Sequence, residues 1–408
     1  MNSVGQSGSG RYRWFTTEVA LLIAIALVVS FTALADNKHT YYKRPGPSLQ
    51  LVAYRASTLG ILALGVSVVI IAGGIDLSGG STIAFSATVC ASVYTLLAPN
   101  ELPLGASAGL LPVGAAIFAS LLAGILIGNL HTWLITAIRL PPFIATLATL
   151  VGLRSLAHAL CEYVNELKGR SGSKLYVNDG FFYYLRDNVW VPVTVFLVLA
   201  LFTWFVLRRT VLGRHFYALG GNEQATRLSG IRTENLKWAA YCFSAFTGGL
   251  AAIFYLADVS SVDPITLARG YELNAIAAAV VGGCSLAGGV GTVSGTVLGV
   301  IFLRVVIDAV AKIIKTNSDV WEGFIVGSVV VLAVTLTQIR QLLANGGQLF
   351  AGLRGLCAIP TLALTSGIVA MITLGTRTGL IVGGATLLLL VGVKIAEVRS
   401  VFARTPRN

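Results

Sequence analysis

The chain has 408 residues, 55% of them hydrophobic and only 11% charged, with a mean hydropathy of +0.81. A soluble domain carries about 25% charged residues, so this composition excludes a fold wetted on all sides and makes lipid the solvent for most of the surface. The net charge of +12 sits mainly in loops and at the ends of apolar runs, as the positive-inside rule and anionic lipid require, and does not call for nucleic acid.

Taken in chain order, apolar length and loop charge predict spans at 18–35, 55–72, 76–98, 112–138, 143–160, 190–207, 238–257, 272–287, 291–314, 322–339, 356–373 and 377–397. Arg11 and Arg13 precede the first of them in the manner of a signal peptide. The run that follows is of spanning length and many more come after it, so it reads as a first, uncleaved helix. The expected fold class is all-α: a polytopic transmembrane bundle of about ten core spans plus two C-terminal spans, with Gly-rich broken helices in its two halves. Residues 208–237 carry six Lys/Arg against Glu223 and Glu234, whereas 258–272 carry Asp258, Asp263 and Glu272 against Arg269 alone. The first segment is therefore expected in the cytoplasm and the second outside, which puts both termini inside in a multi-pass inner (plasma) membrane protein. The loop 36–54, with Lys38, Lys43 and Arg44, goes against the rule.

Two segments echo one another. Gly73-Gly74-Ile75-Asp76-Leu77-Ser78-Gly79-Gly80 and Gly282-Gly283-Cys284-Ser285-Leu286-Ala287-Gly288-Gly289 match at five of eight positions. Paired Gly-interrupted segments in two halves of a membrane protein mark a transport site. Asp76 stands among apolar residues, where a carboxylate needs a cavity or a partner. With Ser78 and Ser81 beside it, the group suits the hydroxyls of a polyol. The alternative is that Asp76 caps a helix at a turn in water.

Residues 213–232 form a long basic loop that is not simply polar. Asn222 followed by Glu223 starts a short helix; Ala225, Leu228 and Ile231 recur on one side, and Gly230 ends it. Such a helix on the inner face suits docking of a soluble partner; otherwise it is a surface helix resting on lipid headgroups. Arg304 and Asp308 are spaced for an ion pair facing the bundle interior, either structural or in contact with solute. The mixed-charge stretch 161–189 is either solvated or meets an outer partner. Trp14, Trp133, Trp190, Trp204 and Trp321 read as interfacial anchors, and His131, His158 and His215 as packing or surface residues. The five cysteines are scattered, without metal-ligand spacing, so no metal is expected.

Several of these stretches carry a family resemblance. Leu212-Gly213-Arg214, Tyr217 to Ala225 and Leu228-Ser229-Gly230-Ile231 resemble the coupling segment of ribose/xylose/galactose-type ABC transporter permeases. Gly73 to Ser78, Pro142 to Leu150, and Tyr271 to Ala278 with the run to Gly295 are similar to further elements of that family, in its order. The resemblance implies an importer built of two permease copies or paralogues and two ATP-binding-cassette ATPase subunits, fed from outside by a sugar-binding protein. Gly220, Gly221, Asn222, Glu223, Ala225, Arg227, Ser229 and Gly230 would couple to the ATPase. The solute pathway would involve Asp76, Ser78 and Ser81, then Asn129, Phe143 and Thr146, and in the second half Glu272, Asn274 and Ser285. Residues 1–17 are then a cytoplasmic segment, 18–340 the permease domain and 341–408 an extension beyond the family's usual end. The family usually has Asp where Asn274 stands. No Gly-Lys dipeptide occurs anywhere, so no Gly-x-x-x-x-Gly-Lys phosphate loop is present and ATP belongs to a partner; no cofactor is expected. The competing reading is a self-contained ion-coupled transporter using Asp76, Asp308 or Glu272.

Overall fold

A computed structural model describes residues 10–36, 40–99, 103, 105–313, 321, 323–328, 331, 335 and 349–404. Its elements are α1 (Gly10–Ala35), α2 (Thr40–Lys43), α3 (Pro45–Ile71), α4 (Gly79–Leu97), α5 (Leu110–Thr136), α6 (Pro142–Leu167), β1 (Leu175–Tyr176), α7 (Gly180–Asp187) and α8 (Trp190–Arg209). They continue with α9 (Val211–Gly221), α10 (Glu223–Leu228), α11 (Thr233–Val259), β2 (Ser261–Val262), α12 (Tyr271–Val281) and α13 (Val293–Ile313). A second compact unit, from Val331 onward, contains α14 (Gly352–Leu374) and α15 (Thr376–Arg404). Among the described residues ten helices are long and apolar enough to cross a membrane. Large apolar side chains such as Leu110, Phe118, Val151 and Trp190 are exposed along them, which water would penalise and lipid does not. The chain is a multi-pass helical membrane protein.

In the first unit, α3 is central, 94% of its apolar window being buried. Proline opens α3 and α6, where its missing N–H leaves no bond unmade. α5 and α11 meet backbone to backbone: a Cβ on Gly128 would stand 2.5 Å from the Cα of Cys242, the close approach that small residues permit between membrane helices.

Two expectations are corrected. The predicted span 272–287 is instead an 11-residue helix, α12, too short to cross a bilayer; its apolar run continues past Val281, but the backbone turns at Gly282-Gly283. Arg304 and Asp308 do not pair. Asp308 accepts from Tyr41 Oη (2.6 Å) and Lys312 Nζ (2.5 Å), while Arg304 is buried and its Nε finds no partner among the described residues. Stretch 161–189 is an ordered element, most of whose charged side chains, Glu162, Lys174 and Asp187 among them, stay exposed. The predicted span 322–339 falls largely outside the described residues, and so does the expected boundary at 340/341.

That ordered element is a small cap. Leu175 pairs with Val262 and Tyr176 with Ser261 in an antiparallel two-stranded sheet. Asp179, fully buried, caps α7 through Phe181 N (2.8 Å) and accepts from Ala108 N (2.7 Å) and Tyr94 Oη (3.0 Å). Lys174 Nζ lies 2.9 Å from Asp263 Oδ2 across the sheet. Partial burial works to raise the Asp263 carboxyl, but the hydrogen bond and charge of Lys174 outweigh it and hold the group below its ordinary value; Lys174 is correspondingly raised. A depressed carboxylate stabilises fully above its unfolded pKa of about 3.9 and loses that contribution as pH falls through the lower folded value. Amide exchange at 174–177 and 261–263, corrected for intrinsic pH dependence, is therefore expected to be flat down to about pH 4 and to rise below it. Asp263→Asn should show the faster exchange already at pH 7; equal protection in the variant would refute the tie.

The second unit is a helical hairpin turning at Gly375, whose φ is +95°. Ser366 Oγ donates to Thr386 Oγ1 (3.1 Å) across it. Both carboxylate oxygens of Glu397 accept from the chain before α14, at Leu349 N (2.6 Å) and Phe350 N (3.2 Å), and Lys394 donates to the Phe350 carbonyl.

Candidate functional site

The two Gly-rich segments end their helices in the same way. At α3, Gly73 N–H donates to Ile70 O and Gly74 N–H to Val69 O, each at 2.9 Å; at α12, Gly283 N–H donates to Val280 O and Cys284 N–H to Ala279 O, also at 2.9 Å. Both are Schellman closures with a glycine in the left-handed region, Gly73 at φ +81° and Gly283 at φ +96°. The structural match thus sets Gly73 against Gly283, one residue away from the register that identity favours. Conformation decides the register, because the left-handed position admits glycine far more readily than other residues.

The segments also meet. Gly289 N–H donates to Ile71 O (2.9 Å), joining the second loop to the end of α3. Gly220, near the end of α9, lies at this junction: a Cβ there would stand 1.9 Å from Ile71 O and 2.5 Å from Gly289 N. Tyr217 Oη donates to Gly291 O (2.9 Å) beside it, and burial pushes that phenol up to about 12. The three backbones therefore close on one another without side chains between them.

Beyond the junction, the 72–78 segment buries Asp76, which is 1% exposed. Its Oδ1 accepts from Ser78 N (2.9 Å) and Ser78 Oγ (2.6 Å), and its Oδ2 from Ser244 Oγ on α11 (2.9 Å). The carboxylate does sit in a turn-capping contact with Ser78, but buried inside the bundle rather than at an exposed turn. Around it, Tyr241 Oη donates to Ile75 O (3.4 Å) and Thr146 Oγ1 to Pro142 O (2.9 Å). Ser81 Oγ donates to Ser78 O (2.7 Å), and the His131 Nε2 to Thr149 Oγ1 contact is 2.7 Å. His131 is fully buried, edge-on to Tyr241, and its Nδ1 has no partner among the described residues. Sequence reasoning missed Ser244 and Tyr241 and set His131 aside. Nothing local marks Ser244; a histidine inside an apolar run was the one signal available.

The other predicted pathway residues are dispersed. Asn129 joins α5 to α11, accepting from Trp238 Nε1 (2.6 Å) and donating to Ile125 O (3.1 Å). Phe143 is exposed at the start of α6. Glu272 and Asn274 are buried at the start of α12, and Ser285 lies in the loop that meets Gly220, accepting from Ala287 N (3.3 Å). The predicted coupling residues lie together. Asn222 caps α10 by accepting from Ala225 N (2.9 Å), Gly230 (φ +82°) follows its end, and Ala225, Arg227 and Ser229 are exposed. Of the apolar side expected to rest on a surface, Ala225 is exposed and Leu228 89% exposed, while Ile231 is partly buried against the core; Thr226 is the buried residue of α10. Two ion pairs tie α10 to α11, Glu223 to Lys237 (2.6 Å) and Arg227 to Glu234 (3.2 Å). A cavity of about 330 Å³ lies under this helix, lined by Gly73, Gly74, Gly220, Glu223, Lys237 and Tyr241 among others.

Residues 48–334 match the family described as branched-chain amino acid transport system / permease component. The chain is 36% identical over 316 residues to the ribose import permease protein RbsC of Escherichia coli K12, covering 73% of this chain and 88% of that one. It is 32% identical over 280 residues to the Bacillus subtilis protein of the same name, covering 68% and 80%. To the autoinducer 2 import system permease protein LsrC of Salmonella paratyphi B it is 32% identical over 312 residues, covering 76% and 83%. No solved structure matches the chain significantly.

Proposed function

Since the chain belongs to the permease-component family of branched-chain amino acid transport systems, we propose that it is the membrane-spanning subunit of an ATP-binding-cassette importer. Its solute would be a monosaccharide or a similar small polar molecule, moved into the cell by alternating access. Relatives named for ribose and autoinducer 2 import support the solute class, and family membership favours this reading over an ion-coupled transporter. Residues 18–340 are the permease domain and 341–408 a C-terminal extension with two extra spans. The α10 end and both termini face the cytoplasm, where the Lys/Arg-rich segment 208–237 belongs. ATP is bound by partner ATPase subunits, since the sequence lacks a Gly-Lys phosphate loop. A second permease, an outer solute-binding protein and lipid complete the assembly, without nucleic acid.

One observation carries the mechanism. The exposed helix α10 is fixed to α11 by two ion pairs, and α9 before it is wedged through Gly220 between the two Gly-rich loops. A push on α10 therefore reaches both halves of the bundle through backbone, and reaches Asp76 through Ser244 of α11. Such contacts transmit displacement because close-packed interiors do not absorb it.

The test is Glu223→Ala with Arg227→Ala. Both ion pairs are substantially exposed, and such pairs contribute about 0–1 kcal/mol, so the double variant is expected to insert and keep its melting temperature. ATP-driven uptake of D-ribose, used as probe, should fall at least tenfold, by about 1.4 kcal/mol of lost coupling. Normal uptake at an unchanged ATP requirement would remove the docking role from α10.

A further inference from the structure

Besides Asp263 and its own backbone bonds, the turn between β2 and α12 is held by a side chain from α6. Arg154, near the middle of α6, directs Nη1 at the carbonyl oxygens of Pro264 (3.0 Å), Ile265 (3.3 Å) and Leu267 (2.9 Å), and Nη2 at that of Ala268 (3.5 Å). The turn is strained as well as held. Ala268 has φ +51°, a conformation that L side chains seldom adopt. Arg154 is a membrane-helix arginine that finds its acceptors in broken backbone, which is how such a charge is tolerated there.

Directly after the turn comes Glu272, 9% exposed, with its Oε2 unpartnered among the described residues. It presses on the start of α4: a Cβ on Gly80 would stand 2.0 Å from Glu272 Oε2 and 2.6 Å from Ala268 O. Arg154 and Glu272 meet at the same corner of the turn: Ala268 O accepts from Arg154 Nη2 (3.5 Å) and, like Glu272 Oε2, lies against Gly80. A guanidinium committed to neutral carbonyls beside a carboxyl with one unpartnered oxygen has a second available pairing, and a charge-assisted bond to carboxylate is the stronger one. The freed carbonyls would take water.

We propose that Arg154 is a positioning residue for solute passage: it latches the 264–268 turn over the start of α4 in the arrangement seen here and releases the turn by transferring its donors to Glu272. Release uncovers the N-terminal end of α4, immediately beyond the Asp76–Ser78 segment, so the latch governs access to that buried polar group. The proposal rests on the transport reading, since it assigns the turn a movement within the cycle.

Leu267, in the turn and 4% exposed, reports the state of the latch. In the assembled complex in nanodiscs, with Cys357→Ser removing the exposed native thiol, Leu267→Cys is titrated with a hydrophilic maleimide with and without ATP and magnesium. With Arg154 present, resting labelling is expected to be slow and to rise with ATP. Arg154→Ala should raise the resting rate about tenfold or more, because several charge-assisted bonds holding the turn are lost; Arg154→Lys, which keeps the charge but not the fork, should fall between. Glu272→Gln should leave the resting rate low and abolish the response to ATP. A resting rate unchanged by Arg154→Ala would overturn the latch. An ATP response in Glu272→Gln equal to that with Glu272 would overturn it independently, and that arm decides the matter if Arg154→Ala does not assemble. D-ribose uptake by the unsubstituted complex, measured alongside, separates the two failures. Its absence strikes the transport reading, whereas normal uptake with labelling indifferent to Arg154 and Glu272 strikes the latch alone.

Discussion

Gly220→Ala is expected to abolish ATP-driven uptake while its neighbour Gly221→Ala leaves uptake near normal. The new Cβ at 220 would stand 1.9 Å from Ile71 O and 2.5 Å from Gly289 N, both backbone atoms with no rotamer to move aside, whereas a Cβ at 221 meets nothing within 4 Å. Relief requires α9 to withdraw from the junction or the Gly289 N–H to Ile71 O bond (2.9 Å) to part. Overpacking costs about 1–3 kcal/mol and a lost backbone hydrogen bond about 0.5–1.5 kcal/mol more. On either route the wedge that carries motion from α10 to both Gly-rich loops is displaced. D-ribose uptake and ATP hydrolysis by the assembled complex measure the effect: hydrolysis without uptake is the expected signature. Equal loss in both variants would mean that the stretch acts through sequence-specific docking and not through this contact.

Asp76 supplies the second large effect, and two substitutions divide it. Asp76→Ala strands two buried donors, Ser78 N and Ser244 Oγ, and leaves Ser78 Oγ only its 3.4 Å contact with Thr82 Oγ1, at about 1–3 kcal/mol for each stranded group; the complex is expected to melt earlier or to fail to assemble. Asp76→Asn keeps one carbonyl oxygen for Ser78, and the Ser244 hydroxyl can rotate to accept from the new amide, so assembly should survive. What is lost is the charge. D-ribose flux is then expected to fall at least about tenfold, equivalent to 1.4 kcal/mol, with ATPase subunits still bound. Normal flux in Asp76→Asn at every solute concentration would reduce the carboxylate to a structural tie between the 72–78 segment and α11.

Both effects show what was written locally and what was not. The membrane class and most spans were legible along the chain, because an apolar run of spanning length has no other favourable solvent. The caps were legible too, Asn222 before α10 and Gly230 after it, since a cap is a bond between residues a few positions apart. The sequence also marked both Gly-rich segments and Asp76 as a charge out of place. The remainder came from packing. Continuous hydrophobicity hid the end of α12 at Val281, and identity aligned the repeats one residue away from the left-handed positions that define them. Asp308 went to Tyr41 and Lys312 instead of Arg304, because helical spacing permits a pair while the best available partner in space makes it. Gly220 and Gly221 are interchangeable on paper, and only the approach of Ile71 and Gly289 separates them. Likewise Ser244 reaches Asp76, and Arg154 the 264–268 carbonyls, across more than a hundred residues. Contacts of that separation depend on how the helices pack, and periodicity along one helix carries no record of which neighbour will face it.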